Sequence, residues 1–177
     1  LGYWFHIGYK SAVTASVNTD GTVQLVEGST DIGGTRTSIA MQFAETLGLA
    51  AEDINPSVGD TSSIGYTDVT GGSRVTYATG WAAYEAAQDV KQQMVSRAAQ
   101  PWETSDDEVE LADGVFQHKS DPEPRMPFQE LPARDAEAGG PIVGPPTPAP
   151  PRPRPPPATP LVPLAVEIRR PARRDRG

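Results

Sequence analysis

Twelve of the 19 prolines in this chain fall within residues 145–177. Proline lacks a backbone donor and fixes φ, so the run from Pro145 to Pro160 reads as polyproline II or disordered chain. Such a stretch cannot join a packed core, which confines any fold to residues 1–144. The same boundary divides the charge. The tail holds seven Arg against Glu167 and Asp175, leaving 8 basic and 21 acidic side chains to the first 144 residues. A body this acidic does not bind nucleic acid, because phosphate contacts need clustered Lys and Arg.

Absent residue types narrow the chemistry further. With no cysteine, this chain carries no disulfide, thiolate zinc site, Cys nucleophile or iron–sulfur cluster. His6 and His118 lie far apart, without ligand spacing around them. No run of about 18 apolar residues exists, so no membrane span is expected. The first residues lack the basic and apolar regions of a secretory signal, which makes a cytoplasmic location the expectation. Leu1 in place of Met points to a fragment or a non-standard start.

Alternation predicts a β-hairpin over 12–27, with Val13, Ala15 and Val17 on one arm, Val23 and Leu25 on the other, and Asp20-Gly21 at the turn. Ile39, Phe43 and Leu47 recur at helical spacing, predicting a helix over 36–47 capped by Gly48. Residues 53–59 read as a short strand that Pro56 keeps at an edge. A loop over 60–72 precedes a long Ala-rich helix over 74–99, whose apolar stripe includes Ala83, Ala86, Ala87, Val90 and Met94 and which Pro101 stops. A second hairpin is expected over 107–119 about Ala112-Asp113-Gly114, then a short helix near 127–134.

One local device occurs twice. Gly33-Gly34-Thr35-Arg36-Thr37 opens the first helix, and Thr70-Gly71-Gly72-Ser73-Arg74 opens the second. A helix N-terminus offers unpaired amides and the positive end of its dipole, and glycine removes the Cβ that would keep a ligand off the backbone. Hydroxyls add donors, and Arg36 or Arg74 could neutralise charge. Two such loops side by side would suit a long polyanionic cofactor. Ser and Thr before helices are also ordinary N-caps, and glycine is an ordinary turn former. Spacing leaves both readings open. Neither loop is a P-loop, since no Lys follows the glycines, and neither has the G-x-G-x-x-G spacing of a dinucleotide-binding turn.

Residues 20–48, DGTVQLVEGSTDIGGTRTSIAMQFAETLG, resemble the strand–turn–helix segment of molybdenum hydroxylase large subunits, the xanthine dehydrogenase, aldehyde oxidase and carbon monoxide dehydrogenase family. Residues 59–90, GDTSSIGYTDVTGGSRVTYATGWAAYEAAQDV, resemble the segment that follows it. The likeness covers roughly residues 2–144 and is greatest to the bacterial branch with separate subunits. It implies an α+β fold: a β-hairpin and two helices of a partial molybdopterin-binding domain over 1–144, followed by a disordered Pro/Arg-rich tail over 145–177. In the family both turns contact the pterin cofactor and its phosphates. Carried over by position, the cofactor-binding candidates are Gly33, Gly34, Thr35 and Thr37 in the first turn, and Thr70, Gly71, Gly72, Ser73 and Arg74 in the second. Gly71 and Gly72 fall where small residues pack beside the metal. Two departures bear on substrate class: Gly33 and Gly34 are adjacent where the family has an intervening residue, and Asp60-Thr61-Ser62 replaces Asp-Thr-Asp.

The resemblance further implies an oxidoreductase that hydroxylates an aldehyde, N-heterocycle or similar small substrate with water. It implies a molybdenum–molybdopterin cofactor, in the cytosine dinucleotide form. A 2Fe-2S small subunit and an FAD-binding medium subunit are the expected partners, and the general-base glutamate is expected outside these residues, so no catalytic residue is named. The switch from GGPIVG at 139–144 to PPTPAPPRPR is what a reading-frame shift near Gly144 in a GC-rich gene would produce. Rival readings are a PxxP ligand at Pro150–Pro153, a non-catalytic partner-binding protein, and an inactive remnant of a broken gene. Trp81 and Tyr84 are expected in the core or at a subunit contact. Asp106, Asp107, Glu108 and Glu110 are expected on a solvated hairpin face, and Asp31 in service of its turn.

Overall fold

In the computed structural model, which describes residues 10–121, 123–135 and 142–144, the alternation of residues 12–27 becomes two antiparallel strands, β1 (Val13–Val17) and β2 (Val23–Glu27). Val13, Ala15, Val23 and Leu25 are the fully buried apolar side chains of the pair, as a period of two requires. Their connection is held by Asp20, whose Oδ1 accepts from the Thr22 hydroxyl at 2.7 Å and the Thr22 amide at 2.9 Å. Those bonds, the hydroxyl's first, lower the Asp20 pKa.

β3 (Ile54–Val58) runs parallel to β2 at one edge of the sheet, where Pro56 can sit without interrupting a ladder on both sides. The other edge is β7 (Ile142–Gly144), antiparallel to β1, so the order is β3-β2-β1-β7. β7 was not expected as a strand. Its Gly144 lies so near the second long helix that a Cβ there would come 3.0 Å from the Ala86 carbonyl oxygen.

α1 (Thr35–Leu47) packs against β3, and α2 (Gly80–Ala99) against β1 and β7, with the two helices also packed on each other. Ile39, Phe43 and Leu47 are 0–1% exposed. Burial of each stabilises the fold by about 1.5–3 kcal/mol relative to leaving it in water. The helix expected over 74–99 is divided: Val75–Thr79 forms a π-turn, and only from Gly80 is the helix α. Arg74 and Thr79, five residues apart, are both 0% exposed. At roughly 100° per residue an α-helix would point them about 140° apart, whereas i→i+5 bonding brings them toward one side.

A second sheet, β4-β5-β6, contains the expected hairpin: β4 (Val109–Ala112) and β5 (Val115–His118) turn through Asp113 and Gly114, both at positive φ, 49° and 71°. This is the two-residue connection that matches strand twist. β6 (Arg125–Pro127) was not anticipated, while α3 (Glu130–Asp135) overlaps the short helix expected near 127–134. Thus the α+β reading holds, with each of the two expected hairpins extended into a sheet. The expected tail over 145–177, with its frame-shift and PxxP readings, lies outside the described residues.

Candidate functional site

Both glycine loops stand at the heads of their helices, and the structure puts them beside each other. Residues 28–32 lead from β2 into the first loop and are counted with it; the hydroxyls of Thr30 there and Thr70 in the second loop are 3.0 Å apart in a hydrogen bond. Arg74, closing the second loop, donates from Nη2 to the Ser29 hydroxyl of the first at 2.9 Å. Residues 40 and 45 positions apart in the chain are thus joined directly.

Gly33 and Gly34 carry the first loop into α1 at φ 59° and 81°, and Gly72 and Ser73 carry the second at φ 54° each. The left-handed region suits glycine; for Ser73 it costs about 1–2 kcal/mol. Gly34 is the N-cap of α1 and makes no side-chain cap bond, nor does Arg74 at the head of the π-turn. Neither N-cap position is thus a Ser or Thr whose hydroxyl caps its own helix. Asp31 does serve its turn: Oδ1 accepts from the Arg36 amide at 3.1 Å, and Oδ2 pairs with Arg36 Nε at 3.3 Å. Thr35 Oγ1 accepts from the Ile32 amide at 3.0 Å.

The open side of the loops is bare backbone. A Cβ built on Gly33, Gly34 or Gly71 would meet nothing within 4 Å. Among the described residues, the amides of Gly33 and Gly34 find no acceptor. Thr37 and Thr70 are exposed beside them. Unpaired amides at a helix head, unshielded by side chains and flanked by hydroxyls, form a donor set for phosphate oxygens.

Of the nine residues read from the sequence, eight lie on these two loops or the first turn of α1. Arg74 departs from its expected place at the ligand surface. It is 0% exposed, and besides Ser29 it donates from Nη1 to the Lys10 carbonyl at 3.2 Å. Burial lowers its pKa, opposed by the charges of Asp68 and Glu27. The guanidinium is thus spent inside the protein, joining the loops, because the π-turn faces it toward the sheet.

Sequence reasoning missed Glu27, Ser29, Ser11 and Thr79, all buried around that guanidinium. A signal for Glu27 was present: it follows Val23 and Leu25 at a period of two, which places a carboxylate on the buried face of β2. Its burial raises its pKa, moderated by the Ser29 amide it accepts from at 2.7 Å. Trp81 and Tyr84 are not core residues. Their rings lie 5.4 Å apart on the outer side of α2, facing a groove shared with Met41 and Gln42 of α1, and Tyr84 is 40% exposed. Asp106, Asp107 and Glu110 are exposed, as expected of a solvated face, while Glu108 is half-buried.

Residues 2–145 match the family model of the molybdopterin cofactor-binding domain, and the chain belongs to that family. Over 107 residues it is 29% identical to the nicotine 6-hydroxylase large subunit of Paenarthrobacter nicotinovorans, covering 60% of this chain and 13% of that protein. The fold is similar to Cu,Mo-CO dehydrogenase in its carbon monoxide reduced state, with TM-score 0.69 and 26% identity over 76% of this chain and 18% of the other. Reconstituted CO dehydrogenase from Oligotropha carboxidovorans gives TM-score 0.71 at 24% identity, covering 81% and 18% of the two chains. Quinoline 2-oxidoreductase from Pseudomonas putida 86 gives 0.70 at 21%, covering 81% and 19%; these last two speak for the fold alone. The resemblance read from residues 20–48 and 59–90 is borne out: this is a molybdopterin-binding portion of the molybdenum hydroxylase type, spanning 13–19% of the length of these relatives.

Proposed function

We propose that the two glycine loops grip the phosphorylated pterin of a molybdenum cofactor, in its cytosine dinucleotide form, within the large subunit of a hydroxylase. The observation that carries this reading is the pairing of the loops: two stretches of open backbone at successive helix heads, tied by the Thr30–Thr70 bond. A phosphate oxygen would take the amides of Gly33 and Gly34, with the Thr35 and Thr37 hydroxyls at the same helix head. Thr70, Gly71, Gly72 and Ser73 would line the opposite wall, where the absence of side chains at both glycines leaves room for the pterin. Arg74 serves the site from beneath. Exposed Arg36 is paired with Asp31, so binding rests on amides and the helix dipole more than on free cations.

When bound, the molybdenum group would supply the redox chemistry for oxidising an aldehyde, an N-heterocycle or a similar small substrate with water. Electrons would leave through a 2Fe-2S small subunit and an FAD-binding medium subunit, the partners that the family resemblance implies. Among the described residues, no helix is long and apolar enough to cross a membrane, and a cytoplasmic assembly fits this reading. Molybdenum and pterin assays on the purified parent subunit test the proposal. One of each per subunit is expected, with both lost in Gly34→Val. A wild-type protein devoid of both, or a variant that keeps both, would overturn it.

A further inference from the structure

Beneath the loops lies a buried polar cluster that cofactor binding does not itself explain. Ser29 is its hub. Its amide donates to Glu27 Oε2 at 2.7 Å, and its hydroxyl accepts from Arg74 Nη2 at 2.9 Å and bonds the Thr79 hydroxyl at 2.7 Å. Thr79 bonds the Ser11 hydroxyl at 2.7 Å in turn, and Arg74 reaches the Lys10 carbonyl where the chain enters β1. All five side chains are at most 2% exposed. They come from the approach to β1, the end of β2, the first loop, the second loop and the π-turn. Glu27 Oε1 and Arg74 Nε have no partner among the described residues, so the two charges are not fully compensated.

Stability does not account for such a cluster. Removing two ionisable groups from water is unfavourable, and apolar side chains of similar volume would fill the same space without that loss. What apolar packing lacks is direction. Hydrogen bonds fix distance and angle, and these run from the sheet to both loops through one residue.

We propose that Glu27 and Arg74 are positioning residues which, acting through Ser29, hold the two glycine loops at a set separation so that their open amides converge on one ligand. Being fully buried, neither touches the ligand. The inference rests on the cofactor reading above, and its test separates the two. Inorganic pyrophosphate is the probe, titrated calorimetrically into the full chain, with amide exchange followed peptide by peptide. Ser29→Ala and Arg74→Met are each expected to weaken pyrophosphate about tenfold. Each should also accelerate exchange in residues 30–37 and 69–74 together, with the distal half of α2 unchanged. The double variant should be no worse than the poorer single one, and Ser29→Thr, which restores the hydroxyl, should recover most of the loss. Glu27→Gln should act in the same direction with smaller effect. Exchange that rises only in the loop carrying the substitution, rises uniformly through the helices, or does not change would overturn the proposal. Should wild-type chain fail to take pyrophosphate, the cofactor reading falls, and the paired exchange of the loops still decides the positioning role. Ser29→Ala carries the test if Arg74→Met does not fold.

Discussion

Glycines at positive φ occur at both ends of α1, and they are there for opposite reasons. At its C-terminal end Gly48, φ 69°, meets Gly114 of the β4–β5 turn, φ 71°. A Cβ on Gly48 would lie 2.6 Å from the Gly114 amide nitrogen, and one on Gly114 would lie 2.8 Å from the Gly48 carbonyl oxygen. Backbone closes on backbone there, and the second sheet is docked. At the N-terminal end Gly33 and Gly34 have the same handedness, yet a Cβ on either would meet nothing. One end of the helix uses glycine to exclude everything, the other to leave a space. Conformation alone does not tell a joint from a cradle; the neighbourhood does.

Substitution separates the two. Gly114→Ala combines the left-handed penalty with an overpacked joint and should cost about 3 kcal/mol in denaturant unfolding. A loss below about 1 kcal/mol would mean the joint yields, and the contrast would dissolve. Gly34→Ala should cost only about 1 kcal/mol, from φ alone, while weakening pyrophosphate about tenfold. Gly71→Ala sharpens the point, for Gly71 has neither positive φ nor a near neighbour. Its stability should stay within about 0.5 kcal/mol of wild type. Any loss of anion binding would then report on the open surface itself, and unimpaired binding would remove Gly71 from the cradle.

The gentlest difference is one of pH. Buried charge underlies the cradle and not the joint. Because the folded protein raises the Glu27 pKa, chiefly by burial, it holds that proton more tightly than the unfolded chain does. Stability should therefore fall as pH climbs from the ordinary carboxylate value through the raised one, then level off. Asp20, Asp60 and Asp68 act oppositely: their pKa values are lowered, so their contribution is present above the ordinary value and fades as pH drops through the depressed ones. Glu27→Gln should flatten the upper limb only, and Gly114→Ala should flatten neither. Unfolding measured across acid to neutral pH decides this; an unaltered upper limb in Glu27→Gln would mean that Glu27 is solvated.

Local signals carried much of this fold. Gly48 after the last periodic apolar residue announced the end of α1, and Asp113-Gly114 announced a tight hairpin; both depend on a few neighbouring residues and their allowed φ. β6 and β7 escaped notice because three-residue strands such as Arg125–Pro127 and Ile142–Gly144 show too little alternation to count. The candidate site was half legible. Its glycines and hydroxyls could be read from their place before helices, whereas Arg74, exposed by every local expectation, turned inward on a π-turn that composition does not encode.

The order of hydrophobic and polar residues therefore determined which segments become strands and helices, and where the backbone is left without side chains, since those outcomes follow from steric rules and periodicities spanning a few residues. Only the tertiary structure decided that Thr30 meets Thr70, that Ser29 receives Arg74, and that one set of glycines faces open space while another faces a neighbouring backbone. Those relations join residues 40 or more positions apart. They exist because apolar burial brings α1 and α2 together on one sheet, a cooperative outcome that no short window of residues contains.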